Sequence, residues 1–196
     1  MRRVLQMLLV PCLLAASYGV AAQTPLKFGV FEPPRLAPDF ALQGSDGREL
    51  KLSRHLGKVV ALGFGYTSCP DVCPTTLAEL AQARKKLGAV GKDFQVIYVT
   101  VDPERDSVER LRDYVTAFDP TFIGATGSPT QLADVRKAYG IQISKQPIAG
   151  SHAAYLVHHS SFVYFIDRTG KLRSMMPFGG RSVDDIVNDI GVLLRN

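Results

Sequence analysis

Gly65-Tyr66-Thr67-Ser68-Cys69-Pro70-Asp71-Val72-Cys73-Pro74 is the stretch that decides how this chain reads. An apolar run, Val59 to Phe64, precedes it, and Leu77, Leu80, Ala81 and Leu87 follow at helical spacing. The pattern predicts a buried strand, a turn, and a helix whose first turn accepts Pro74. Two thiols therefore fall on a strand-to-helix turn, at the positive end of a helix. That environment favours the thiolate, which is both the nucleophile and the metal ligand.

The spacing allows two chemistries. Residues four apart in a helix have Cα atoms roughly 6 Å apart, which lies near the upper end of what a disulfide accepts. It also suits two sulfurs sharing a metal at about 2.3 Å each. A structural disulfide is the plain alternative, but so short a closed loop restricts the unfolded chain little. The pair is read as chemical, either a reversible disulfide or two legs of a thiolate metal site.

Working outward, the N-terminus begins Met1-Arg2-Arg3 and continues apolar from Val4 to Ala22, with small residues at its end. Residues 1–22 are read as a secretory signal peptide, with an uncleaved membrane anchor as the alternative. The third of the three cysteines, Cys12, lies inside it. Residues 23–37, rich in proline, are expected to be an irregular leader. Residues 38–196 then form one domain with a sizeable core. The formal charge of +5 would fall if Arg2 and Arg3 were removed with the signal peptide. No basic run interleaves with aromatics, which excludes a nucleic-acid partner. Thiols exported to an oxidising compartment oxidise unless they have another role.

Phe40-Ala41-Leu42 and Glu49-Leu50-Lys51-Leu52 flank an Asp46-Gly47 turn and predict an N-terminal β-hairpin. Phe94 to Val101 reads as a second strand. Asp106 with Glu109 resembles a capping box opening a helix that buries Leu111, Tyr114, Val115 and Phe118. Phe122 to Gly124 is a short strand, and Ser128-Pro129 opens a helix that Gly140 stops. A long polar loop is expected from Ile141 through His152. Tyr155 to His159, Phe162 to Asp167 and Leu172 to Met176 are strand-like, and Ser182 caps a last helix. Strands alternating with helices describe an α/β fold, with a central mixed sheet flanked by helices on both faces. In such sheets the turn after a central strand is where sites are placed.

Four histidines are available as a third ligand. His55 and His152 read as surface residues. His158 and His159 are adjacent on an extended segment, so their side chains point to opposite faces and one of them can meet the cysteines. Two thiolates and one imidazole form a soft, low-coordination set suited to Cu(I). Zinc usually takes four ligands in a closed site, and no fourth soft ligand is evident. An exported thiol–disulfide oxidoreductase without metal is the competing reading, with Cys69 as the exposed nucleophile and Cys73 as the resolving thiol. Thr67 stands two residues before Cys69, not the three a thiol peroxidase pattern would want.

Phe64 to Pro74 resembles the core motif of the SCO/SenC copper-chaperone family. The likeness continues through Val101-Asp102-Pro103-Glu104-Arg105-Asp106, Gly124-Ala125-Thr126-Gly127, Ala138-Tyr139-Gly140 and Tyr155-Leu156-Val157-His158-His159-Ser160. The resemblance implies a thioredoxin-like fold and one copper ion held by Cys69, Cys73 and His159. It implies a role at the binuclear copper centre of a respiratory oxidase, by copper delivery, by reduction of the target's cysteines, or by both. The implied partners are that oxidase's copper-centre subunit, a copper donor protein and a thiol reductant. The implied location is the periplasm, free or membrane-anchored. Asp102 and Asp106 match a family motif, yet turn and cap roles account for them equally. The family's usual Asp before the ligand histidine is His158 here.

Overall fold

The computed structural model describes residues 25–148 and 155–195. Ten strands and four helices run in the order β1 (Gly29–Leu36), β2 (Ala41–Gly44), β3 (Glu49–Lys51), β4 (Val59–Gly65), α1 (Val72–Leu87), β5 (Phe94–Thr100), α2 (Val108–Thr116), β6 (Ile123–Thr126), α3 (Pro129–Tyr139), β7 (Ile143–Pro147), β8 (Tyr155–His159), β9 (Phe162–Ile166), β10 (Lys171–Pro177) and α4 (Val183–Arg195). Eight strands make one sheet in the order β1-β10-β9-β4-β5-β6-β2-β3, and β7 pairs with β8 in a separate two-stranded sheet. β4, β5 and β6 are parallel neighbours, while β9 runs antiparallel to β4.

Burial explains the centre of this order. Every residue of β4 and β5 is buried, as expected for parallel strands covered on both faces. Val60, Leu62 and Phe64 face one layer, shared with Leu132, Val135 and Tyr139 of α3. Val59 and Ala61 face the other, shared with Leu77 and Leu80 of α1, Leu111 and Val115 of α2, and Ile186 and Ile190 of α4. The predicted Asp46-Gly47 hairpin forms as β2 and β3 and joins the sheet through β6, with Gly47 at φ 81°. Ser128 caps α3 in a reciprocal box with Gln131, and Gly140 ends it in the left-handed region at φ 70°.

Three local expectations change. The leader is not irregular throughout, because Gly29–Leu36 is an edge strand on β10. Its prolines are tolerated there since an edge strand leaves half of its N–H groups unpaired, and the register slips between Val30 and Arg35. The polar stretch after Ile141 contains β7, exposed along its whole length and ordered by pairing with β8. At α2 the cap is Ser107, whose side chain accepts from the Arg110 amide. Asp106 does not cap that helix. The signal-peptide segment and His152 lie outside the described residues. Among the described residues no helix is long and apolar enough to cross a membrane.

Candidate metal centre

β4 delivers the chain to the site at Gly65. A Cβ at that position would stand 2.9 Å from Cys73 Sγ and closer still to the Tyr98 ring and hydroxyl, so the position has room for glycine alone. The chain turns through Tyr66 and Thr67, the Cys69 amide bonding back to the Tyr66 carbonyl at 3.2 Å. α1 starts at Val72, so Cys73 lies in the helix and Cys69 in the turn before it. The ideal-helix spacing expected for the pair therefore does not apply. Asp71 occupies the N-cap position and makes no side-chain cap bond. The Cys69 sulfur lies beside the Cys73 thiol and the amides of Asp71, Val72 and Cys73.

These donors set the two thiols apart. The Cys73 thiol first, and then the backbone amides, pull the Cys69 thiol down to about 6 against the opposing cost of its partial burial. Cys73 is pushed up, because it donates to Cys69 and is wholly buried. Both cysteines are free thiols. The arrangement is a half-buried thiolate in front of a buried, protonated thiol.

His159, at the end of β8, brings its Nε2 to 3.8 Å from Cys73 Sγ. Its Nδ1 donates to the Ser160 carbonyl at 3.1 Å, which leaves the Nε2 lone pair facing the sulfur. Burial lowers its pKa, so the ring is neutral. Tyr66 and Phe178 meet it edge to face, each with ring centroids 6.1 Å away. His158 points the other way, exposed, with Nε2 2.5 Å from Gln146 Oε1. The alternation expected of adjacent strand residues is realised. His55 precedes the far end of β4, away from the cysteine turn.

The donor set fits a soft ion. A 3.8 Å sulfur–nitrogen separation is what two atoms share across one ion at an angle near ~120°, for bonds of about 2.3 and 2.0 Å. A ligand histidine with its second nitrogen on a backbone carbonyl is the usual arrangement at metal sites. Among the described residues no three His, Cys, Asp or Glu side chains are yet gathered into a closed cluster. Cys69 would complete the set with Cys73 and His159.

The two aspartates of Asp102-Pro103-Glu104-Arg105-Asp106 hold this site together from behind. Asp106, 1% exposed, accepts from the Thr67 amide at 3.1 Å, the Thr67 hydroxyl at 2.6 Å and the Thr100 hydroxyl at 2.6 Å. Thr100 Oγ1 in turn accepts from the Asp102 amide at 2.9 Å. Asp102, fully buried, pairs with Arg105 Nε and accepts from the Tyr155 hydroxyl at 2.7 Å. Arg105 also donates to the Tyr155 carbonyl and lies over its ring. One continuous network thus joins the turn carrying Cys69 to the strand carrying His159. The sequence reading kept turn and cap roles open for both acids. It gave Thr67, Thr100 and Tyr155 no part in this network, because nothing in their spacing marks partners so far apart in the chain.

A mixed sheet covered on both faces, with a Cys-x3-Cys turn after its central strand, defines a thioredoxin-like α/β protein. A family model described as SCO1/SenC matches residues 31–195, and the chain belongs to the SCO1/SenC family. It is 33% identical over 137 residues to an SCO2-like protein of Rickettsia conorii, covering 70% of this chain and 67% of that one. The apo Sco1 protein of Thermus thermophilus superposes with a TM-score of 0.77 at 36% identity, covering 89% of this chain and 99% of that one. Copper-bound ScoI of Arabidopsis thaliana superposes with a TM-score of 0.74 at 30% identity, covering 83% and 100% respectively.

Proposed function

We propose that this chain is a copper metallochaperone that binds one copper ion through Cys69, Cys73 and His159. Its role is the maturation of the binuclear copper centre of a respiratory oxidase, by handing over the ion or by reducing the cysteines that receive it. The observation that carries the reading is the pairing of His159 Nε2 with Cys73 Sγ at 3.8 Å, with Nδ1 fixed on the Ser160 carbonyl. The soft donor set favours Cu(I) over harder ions. Family membership supports the same cargo, since solved members such as the Arabidopsis ScoI carry copper. The half-exposed Cys69 gives the ion an exit toward a partner's thiolates, while Cys73 stays buried and His159 half-buried behind it.

A specific observation also favours the second arm of this role, and with it the alternative of an exported thiol–disulfide oxidoreductase. Cys69 is held near about 6 while Cys73 is kept protonated. A thiolate at Cys69 attacks a target disulfide, releasing one target thiolate and forming a mixed disulfide. Cys73 then gives up its proton, attacks Cys69 and releases the second target thiolate. The target gains two electrons and the Cys69–Cys73 pair loses them. A thiol reductant resets the pair.

In this reading the protein works on the periplasmic side, exported or held by an N-terminal anchor, with the copper-centre subunit as its partner. Metal analysis of the reduced, untagged chain purified with copper tests it. One copper per chain, lost when both cysteines are replaced by serine, supports the chaperone. Absence of copper with retained disulfide-reducing activity supports the oxidoreductase.

A further inference from the structure

Behind Cys73 lies a hydroxyl that packing alone does not require. Tyr98, on β5, is 1% exposed. A phenylalanine would fill the same space without burying a polar group, so the hydroxyl needs a partner that repays its desolvation. Its backbone acceptor, the Tyr66 carbonyl, stands at 3.3 Å, longer than the usual 2.7–2.8 Å of such bonds. The other group on hand is the Cys73 sulfur. Tyr98 Oη and Cys73 Sγ both stand within 2.9 Å of the one point that a Cβ at Gly65 would occupy, so the hydroxyl adjoins the sulfur. Next in line is Tyr114, its ring centroid 5.9 Å from that of Tyr98 and its hydroxyl buried without a hydrogen-bond partner.

We propose that Tyr98 is a positioning residue for Cys73, its hydroxyl donating to that sulfur, favouring the dithiol over the disulfide and drawing electron density from the sulfur when a soft ion is bound. In the disulfide the sulfur is a weak acceptor and the bond is largely lost. In the dithiol, and more so in a metal-bound thiolate, it is kept. Hydrogen bonding around a cysteine sulfur is a recognised lever on the potential of a copper–thiolate site. The copper part rests on the function proposed above, and the metal-free part does not.

The test compares the wild-type chain with Tyr98→Phe, metal-free, in buffers of reduced and oxidised dithiothreitol. Reduction of the Cys69–Cys73 disulfide takes two electrons from the dithiol reagent, which cyclises. One of its protons goes to Cys73, the other to solvent, and Cys69 remains a thiolate. Tyr98→Phe should shift the equilibrium about tenfold toward the disulfide, a midpoint about 30 mV more negative. Tyr114→Phe, which removes a hydroxyl one shell further out, should move it less than twofold. Uniform incorporation of fluorotyrosine makes the hydroxyl a stronger donor and should move the midpoint the opposite way. In the protein loaded with Cu(II), Tyr98→Phe should shift the sulfur-to-copper charge-transfer band to lower energy. An unchanged midpoint in Tyr98→Phe, or equal shifts in Tyr98→Phe and Tyr114→Phe, overturns the proposal. A tenfold midpoint shift in a chain that binds no copper upholds this inference and overturns the chaperone reading alone.

Discussion

The Tyr155 hydroxyl donates to Asp102 Oδ1 at 2.7 Å, across 53 positions of sequence. This bond fastens the β7–β8 hairpin to the sheet that presents the cysteines. The hairpin shares no ladder with that sheet. Its hold on the domain comes from Tyr155, from Arg105 stacked on the Tyr155 ring at 3.9 Å, from the Glu104–Lys145 ion pair at 2.7 Å, and from Val157, buried in the core with its amide donating to the Tyr66 hydroxyl at 3.4 Å. The exposed ion pair contributes little, and the part-buried Tyr155–Asp102 bond acts with the Val157 contacts to set where His159 stands.

Tyr155→Phe should therefore loosen the hairpin with little effect on the core. The expected loss of global stability is about 2 kcal/mol, one hydrogen bond to a charged acceptor. Copper affinity should fall roughly tenfold, the scale of losing a supporting partner of a metal ligand. Chelator competition measures the affinity, and amide exchange of Tyr155–His159 should accelerate. Unchanged exchange and affinity would show that the bond does not position His159.

Asp106 is expected to matter far more than a helix cap. Asp106→Ala strands the Thr67 amide and two threonine hydroxyls in a buried site and should cost about 3 kcal/mol or more. Ser107→Ala removes the actual cap of α2 and should cost about 1 kcal/mol. Urea melts of the two variants discriminate. Equal losses would mean that Asp106 does nothing beyond what a capping residue does.

The central strands, the cysteine turn and the split between His158 and His159 were all legible in the sequence. Each has a local signature: a continuous apolar run, a cysteine pair before a helical pattern, and the two-residue period of a strand. β1 was hidden by its prolines, which read as leader although an edge strand accepts them. β7 was hidden because both of its faces are exposed, so no alternation marks it. Asp106 was read as a cap because an acid before a helix looks the same in sequence whether it turns toward its own helix or toward Thr67. Tyr98 lay unremarked within the strand Phe94 to Val101, since its hydroxyl acquires meaning only when β4 and α1 bring Gly65 and Cys73 over it.

The thiol pair predicts a pH dependence. Cys69 is depressed to about 6 from an ordinary value of 9.0. Between those values the folded chain binds fewer protons than the unfolded one, so stability from this group rises with pH. It is fully present above about 9.0 and is lost as pH falls through about 6. Cys73 is raised, so its contribution has the opposite sense, present below the ordinary thiol range and lost above it. Reduced apo-protein should thus gain stability from pH 6 toward pH 9 relative to Cys69→Ser, with the size of the gain cut by solvent at the half-buried Cys69. Iodoacetamide should modify Cys69 with a half-maximal rate near pH 6 and leave Cys73 unreacted. A stability profile parallel to that of Cys69→Ser contradicts the thiolate assignment.

The adjacent histidines should behave differently on substitution. His159→Ala removes the nitrogen that faces Cys73 Sγ and should weaken copper binding by more than tenfold. His158→Ala frees only an exposed contact with Gln146 and should keep affinity within about threefold, the change expected of a side chain that merely adjoins a ligand. His158→Asp should bind copper as the wild type does. If His158→Ala loses the metal and His159→Ala keeps it, the ligand is the neighbouring residue.

X-ray absorption of the reduced, copper-loaded chain tests the central claim most directly. The account predicts Cu(I) with two sulfur scatterers at about 2.3 Å and one imidazole nitrogen at about 2.0 Å, the nitrogen shell vanishing in His159→Ala. Copper held only by oxygen and nitrogen, or a sulfur–nitrogen shell that survives His159→Ala, would contradict it.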